Sequence, residues 1–330
     1  VARARPVAGG TQALAPVQAA DLLTRPPRLL DVNRTRNLIA GKRVLITGAG
    51  GTIGAELTRQ IISHDPASVI LFDASEFNLY SIDRELSERG TLVPWSAELG
   101  DVRDLDRLAE LFARQKPQVV VHAAALKHVP LMEANPAEAV LTNVAGALAV
   151  ARLARDLAEV FVFVSTDKAV NPTNVMGATK RLAESVIQSQ QNGSGTRFCA
   201  VRSGNVLGSA GSVVPIFRSQ IDRGGPVTVT HEDMARFFMT IPEAAQLVLH
   251  ATASCADDDA EASARLFLLE MGAPVRIMDL ARQMIALSGR TPGKDIEIEI
   301  TGLRPGEKLS EALLDDSETS IPCAPKVLEV

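Results

Sequence analysis

Residues 42–54 read KRVLITGAGGTIG, and this stretch decides the fold. Its first half is a short apolar run typical of a strand buried on both faces of a parallel sheet. Gly48, Gly51 and Gly54 follow at G-x-x-G-x-x-G spacing, and Ile53 to Ser63 then reads as a helix. Glycines let the backbone turn tightly and come close to a pyrophosphate. The helix N-terminus adds free N–H groups and a positive dipole end. Such spacing is weak evidence alone; between a buried strand and a helix it indicates a dinucleotide loop. Thr52 and Ile53, at the helix start, belong to the same candidate site.

Working outward, the alternation repeats. SVILFD (68–73), LVPWSAELGD (92–101), QVVVHAAA (118–125), VFVFVST (160–166) and TRFCAVRSG (196–204) read as strands. The intervening periodicity predicts helices over Asn78–Arg89, Leu105–Gln115, Pro136–Leu157 and Met176–Gln190. Repeated βα units predict an α/β fold: a doubly wound parallel Rossmann sheet with ligands at the carboxyl ends of its strands. Beyond Gly204 the alternation becomes irregular, which predicts a smaller C-terminal substrate-binding lobe. The expected division is a coenzyme domain at 41–205 and the lobe at 206–330. Within the latter, a helix at Glu243–Ala253 and a strand at 265–271 are expected, so that about 243–271 returns to the main sheet. Residues 1–40 read as a leader from a longer chain, with a short helix at Val17–Leu23, and 254–263 as an acidic loop.

Asp73 ends the second strand, nineteen residues after Gly54. A carboxylate there accepts from a ribose 2′-hydroxyl and repels a 2′-phosphate, which favours NAD over NADP. The alternative is an Asp capping the turn before Ser75. Asp101, with Val102, follows the third strand and either meets an adenine edge or caps the helix at 105. Ala123, Ala124 and Ala125 leave room for a coenzyme. Asn143 either holds a bulge or a water, or faces solvent.

Composition narrows the classes. With 46% hydrophobic and 22% charged residues the chain is ordinary globular protein, and a net charge of −5 gives no reason to expect a nucleic-acid partner. Three scattered cysteines (Cys199, Cys255, Cys323) show no metal-ligand spacing and suit a reducing compartment. No unbroken apolar run of about 18 residues is found, and no signal peptide.

Val164 to Lys180 reads VSTDKAVNPTNVMGATK. Short-chain dehydrogenases place a Tyr four residues before such a Lys; here Met176 stands there, and the single tyrosine, Tyr80, is far upstream. Proton transfer must come from elsewhere, and Thr166, Asp167 and Lys168 supply a hydroxyl, a carboxyl and an amine side by side.

Together TGAGGTIG, AALKHVPLME, VSTDKAVNPTNVMGATKR, GNVLGSAGSVVPIF and TGLRPGEKLSE resemble the UDP-sugar 4,6-dehydratases, extended short-chain dehydrogenases of bacterial polysaccharide and glycan biosynthesis. The chain is most similar to their long, membrane-tethered branch, which acts on UDP-N-acetylglucosamine and carries the same methionine. The resemblance covers residue 17 to the C-terminus. It implies a tightly bound, recycled NAD, a UDP-sugar substrate, a homodimer or higher homo-oligomer, and a cytoplasmic domain tethered at the inner membrane through a removed N-terminal part. It also implies C4 oxidation, C5/C6 water elimination and hydride return to C6. Thr166 then takes or passes on the C4 hydroxyl proton, helped electrostatically by Lys180 or by a relaying water, Asp167 protonates the departing C6 hydroxyl, Lys168 takes the C5 proton, and Met176 packs on substrate or nicotinamide. Lys127 and His128 would face the sugar. Asn205 and Arg304 would reach the UDP, with Glu307 orienting Arg304; Arg236 and Lys308 are weaker candidates. Ser203, Ala210 and Ser310 depart from the family pattern. The helices 136–157 and 176–190 are the expected interface.

Two other functions compete. A UDP-sugar 4-epimerase shares the C4 oxidation but needs no C5 base or C6 acid. A catalytically inactive NAD-binding module is superficially favoured by the lost tyrosine and opposed by Lys180, the triplet and RPGEK.

Overall fold

The computed structural model describes residues 32–256 and 264–330. The helix expected at Val17–Leu23 and most of the acidic loop lie outside those residues. The first half runs α1 (Val32–Ile39), β1 (Arg43–Thr47), α2 (Thr52–Ile62), β2 (Ser68–Asp73), α3 (Glu76–Arg89), β3 (Trp95–Leu99), α4 (Leu105–Gln115) and β4 (Val119–His122). Next come α5 (Val129–Ala134), α6 (Pro136–Val140), a π-helical stretch (Leu141–Gly146), α7 (Ala147–Ala154), β5 (Val160–Thr166), α8 (Val175–Ser189) and β6 (Arg197–Ser203).

The lobe contains β7 (Asn205–Val206), α9 (Val213–Asp222), β8 (Val227–Val229), β9 (Ala235–Arg236) and β10 (Phe238–Met239). After α10 (Ile241–Ala256) and β11 (Arg265–Leu269) come β12 (Val275–Arg276), α11 (Ile277–Leu287), β13 (Ile298–Ile300), β14 (Ile321–Ala324) and β15 (Val327–Glu329).

Among the described residues one sheet has nine strands, in the order β14-β15-β11-β6-β5-β4-β1-β2-β3. From β3 to β11 the pairing is parallel; β15 and β14 add an antiparallel hairpin at the edge. The sequence did not announce that hairpin, because its two strands are short and only partly buried. β11 pairs with β6, so the strand expected to return does lie in the sheet.

The apolar runs form strands because both faces are covered. Val44, Ile46, Val121 and Val162 face a layer that includes α2, α3 and α10, whereas Leu45, Val120, Phe161 and Phe163 face α4, α7 and α8. Truncating one of these fully buried phenylalanines costs about 3–5 kcal/mol. A separate core joins α9, β8 and α11 in the lobe. The end of the expected leader also belongs to the packing: Ile39 of α1 is fully buried against the same layer as α10.

The helix expected over 136–157 is one continuous rod with an irregular middle. Pro136–Ala154 has enough length and apolarity to cross a membrane although no unbroken apolar run marks it, and 44% of its most apolar 18 residues are buried within the fold. Val150, Ala151 and Ala154 of this rod are packed against β4 and β5, as in a core helix of an α/β domain.

Candidate active site

β1 and β4 are neighbours, while the chain first travels outward through β2 and β3. Strand order therefore reverses between β1 and β4, the place where doubly wound sheets bind ligands. A cleft of about 450 Å³ opens there. Gly48 and Gly51 line it beside Asp73; Asp101 and Val102 form its outer wall, and Ala123, Ala124 and Ala125 the opposite one. Gly48 has φ +68°, and a Cβ on it would stand 2.7 Å from the Ala124 nitrogen. A Cβ on Gly54 would collide with the Gly48 carbonyl. Both glycines are thus demanded by the close approach of backbone to backbone.

Thr52, Ile53, Gly54 and Asn143 do not line the cleft. The Thr52 hydroxyl accepts a 3.4 Å hydrogen bond from the Ala210 amide, and Ile53 packs on the core. Asn143 is fully buried, which overturns its solvent-facing reading. Its Oδ1 accepts from the Leu126 amide (2.8 Å), and its Nδ2 donates to the Leu126 carbonyl and to Thr179 Oγ1 (both 3.0 Å). It holds the loop after β4 instead of touching a coenzyme.

Asp73 does what the capping alternative required and more. Its Oδ1 accepts from the Ser75 amide at 2.8 Å and its Oδ2 from the Gly50 amide at 2.9 Å, which ties it to the glycine loop. Asp101 does not cap the helix at 105; Asp104 does, accepting from the Arg107 amide. Asp101 is engaged by the Arg103 amide and guanidinium, which hold its carboxyl below the usual range, with burial opposing. Arg103 also reaches Glu138 at 2.6 Å, and both line the cleft. Sequence reasoning missed these two, since nothing local joins residues so far apart in the chain.

At the end of β5, Thr166, Asp167 and Lys168 form one hydrogen-bonded group. Thr166 Oγ1 and Lys168 Nζ each donate to Asp167 Oδ1 at 2.9 Å. Asp167 is fully buried, and its Oδ2 has no partner. Lys168 donates at 2.8 Å to Asn205 Oδ1. Asn205, expected to reach UDP, therefore holds Lys168.

Lys180 is buried on α8. Its Nζ donates to the Val164 carbonyl at 2.7 Å and lies 4.0 Å from the Phe163 ring centroid. No hydrogen bond links it to Thr166, whose hydroxyl donates to Asp167. Burial brings the Lys180 ammonium down to about 7, against a counter-pull from Glu184. His122 stacks on Phe163 one strand away, and burial, aided by Lys180, lowers it to about 3. Met176 is buried in a small cluster with Met132 and Ala139. It presents almost no surface for a substrate or nicotinamide, because α5 and α6 cover it.

The expected substrate residues are distributed around this group. Lys127 donates to the Ala210 carbonyl (3.0 Å), and burial lowers its pKa. His128 packs against Gly211, where a Cβ would meet its ring at 2.6 Å; burial and then Lys127 lower it. Arg304 is exposed. Glu307 accepts from the Arg304 amide at 3.2 Å, so it shapes the turn and not the guanidinium. Arg236 is neither surface charge nor free to bind: it is buried and donates to the carbonyls of Ala235, Lys308 and Leu309. Lys308 donates to the Val170 carbonyl at 2.8 Å, and Thr173 and Asn174 both donate to the Gly306 carbonyl. The RPGEK segment thus rests on the loop that leads into α8.

A family model described as "Polysaccharide biosynthesis protein" matches residues 44–326. The chain belongs to this family. It is 52% identical over 305 residues to the probable polysaccharide biosynthesis protein EpsC of Bacillus subtilis, covering 92% of this chain and 50% of that protein. The chain therefore spans about half the length of that curated relative. It is 31% identical to a UDP-N-acetylglucosamine 4,6-dehydratase (inverting) of Campylobacter jejuni, covering 85% of this chain and 80% of that protein. A UDP-glucose 4-epimerase of Rickettsia akari matches at 34%, with the same coverage of each. Among solved structures, Pen from Bacillus thuringiensis superposes with a TM-score of 0.79 at 34% identity, over 88% of this chain and 89% of that one.

In this chain the three departures have distinct settings. Ser203 lies within 3.5 Å of the Ser165 carbonyl, Ala210 offers its backbone to Thr52 and Lys127, and Ser310 is exposed.

Proposed function

We propose that this chain is the catalytic part of an NAD-dependent UDP-N-acetylglucosamine 4,6-dehydratase serving bacterial polysaccharide or glycan biosynthesis. The observation that carries the reading is Asp167: a fully buried carboxyl at the strand end, one oxygen shared by Thr166 and Lys168, the other without a partner. An epimerase has no use for such an acid–base cluster.

The cleft fits a dinucleotide. Its glycine floor leaves no space for a side chain, which suits close backbone approach to a pyrophosphate. Asp73 would hold the adenosine ribose beside the Gly48–Gly51 loop, and the alanines after β4 leave room alongside. NAD bound there would supply oxidation at C4 of the sugar and reduction at C6.

The chain's own residues handle the protons. Thr166 passes the C4 hydroxyl proton to the carboxylate it already bonds. Asp167 gives a proton to the C6 hydroxyl as it departs as water. Lys168 accepts the C5 proton; its bond to Asp167 lets acid and base exchange one proton between them. Asn205 keeps the Lys168 amine aimed. Lys180 supports β5 from below through Val164.

The test incubates the purified chain with UDP-N-acetylglucosamine in deuterated water and weighs the product. Loss of one water with uptake of one deuterium is expected. A product of unchanged mass with altered C4 configuration would establish the epimerase. Untouched substrate with added NAD would count against both.

A further inference from the structure

Behind the candidate catalytic groups lies a buried ion network that the reaction does not use. Glu184, one turn beyond Lys180 on α8, accepts from Ser165 Oγ at 2.6 Å. Arg202 of β6 is fully buried and donates to both Glu184 oxygens, at 3.0 and 2.8 Å. The same guanidinium donates to both oxygens of Glu318, at 2.7 and 2.9 Å, although Glu318 lies 116 residues further along the chain. Arg181, next to Lys180, adds bonds to Glu184 (3.3 Å), Glu318 (2.8 Å) and Asp315 (3.3 Å). Burial works most strongly on Glu318, against ionisation, but the hydrogen bonds and charge of Arg202, the Asp315 amide and Arg181 together outweigh it and keep the carboxyl below its ordinary range. Of the two Glu318 oxygens that hold Arg202, Oε2 also accepts from the Asp315 amide, so the turn is closed on itself.

We infer that Glu318 is a positioning residue for the catalytic helix: by sharing Arg202 with Glu184 it governs how strongly Glu184 acts on Lys180. A merely structural clasp would hold α8 in place and leave Lys180 indifferent to which charges form it. The arrangement argues for more. Glu184 is the anion that favours protonated Lys180. Its charge is neutralised by Arg202 and Arg181, and that neutralisation is divided with Glu318 and Asp315. The other titratable groups packed around Lys180 are His122, which burial keeps neutral, and Asp167 and Lys168, which bond to each other. None of these answers to Glu318.

The sign follows. Without the Glu318 charge, Arg202 is left wholly to Glu184, the pull of Glu184 weakens, and Lys180 loses its proton at lower pH. Without Arg181, Glu184 is less neutralised and Lys180 keeps its proton to higher pH. The inference rests on the proposed reaction only in that Lys180 supports the strand whose end carries the proton-transferring groups; its test reads the lysine directly and needs neither substrate nor coenzyme. The protein is labelled with carbon-13 at the lysine ε positions, the Lys180 resonance is identified by its absence in Lys180→Arg, and its titration is followed by NMR. Glu318→Gln is expected to move the midpoint down, and Arg181→Gln up, each by roughly half a pH unit or more. A folded Glu318→Gln protein with an unmoved midpoint overturns the inference. If that variant does not fold, Arg181→Gln decides: an unmoved or lowered midpoint overturns it equally. Both shifts present in a chain whose unaltered form leaves UDP-N-acetylglucosamine untouched would instead reject the proposed reaction and leave the inference standing.

Discussion

Replacing Lys180 by Met should make the coenzyme-free protein more stable at neutral pH. Lys180 is 5% exposed, and burial lowers its ammonium from 10.5 to about 7. A folded-state pKa below the unfolded one means that the unfolded chain binds the extra proton between about 7 and 10.5. Stability must therefore rise with pH across that window and be poorest below it. At about 1.4 kcal/mol per unit, the charged lysine costs the folded state about 4 kcal/mol at pH 7. Methionine removes that cost with a side chain of similar length. It also leaves the Val164 carbonyl without its 2.7 Å donor, a loss of about 1–2 kcal/mol. The balance is a gain of about 2–3 kcal/mol at pH 7, shrinking to nothing or reversing near pH 10. Urea denaturation of both coenzyme-free proteins at pH 7, 8.5 and 10 measures it, read as the difference between them so that other titrating groups cancel. A Lys180→Met protein no more stable than its parent at pH 7, or a difference that does not change with pH, would refute the reasoning.

Gly54→Ala should abolish retention of NAD, because the new methyl group collides with the Gly48 carbonyl and opens the loop; absorbance of coenzyme released on heat denaturation checks this. Asn143→Leu should cost about 1–3 kcal/mol in chemical denaturation, since both the amide and the carbonyl of the half-buried Leu126 lose their partner. Leu141 and Leu182 are 46% and 49% exposed on the two helices expected to form a homodimer. Leu141→Glu with Leu182→Glu should yield monomers by sedimentation, and an unchanged mass would place the interface elsewhere.

What was legible in the sequence was what local pattern controls. Buried parallel strands announce themselves as apolar runs, so β1, β2, β4, β5 and β6 and the glycine loop could be placed before any coordinates. The α4 boundaries were readable to the residue from the apolar spacing, although the cap weighed for it was Asp101 and the structure uses Asp104. Pairings across the sheet were not readable. Nothing near Arg236 says that it will hold the carbonyls of Lys308 and Leu309, and nothing near Asn205 says that it will meet Lys168. Met176 misled for a related reason: its position in the tyrosine's place suggested a substrate contact, whereas α5 and α6 supply apolar partners that claim it. Asn143 was seen as a polar residue in an apolar helix, but its three partners come from two other segments.

The π-helical stretch at Leu141–Gly146 bears on how this part of the chain tolerates changes in length. A π turn contains one residue more than an α turn spanning the same rise. Removing a single residue from 141–146 would let α6 and α7 merge into one regular α-helix, with its backbone hydrogen bonds intact and its helical content unaltered. The two halves would then differ in rotational phase by one residue. Asn143 would swing away from Leu126 and Thr179, or the apolar stripe of α7 would swing away from the sheet. A deletion that is silent to circular dichroism would be fatal to the loop after β4. The irregularity works as a phase adjuster, letting one helix serve two surfaces that no uniform pitch could face together.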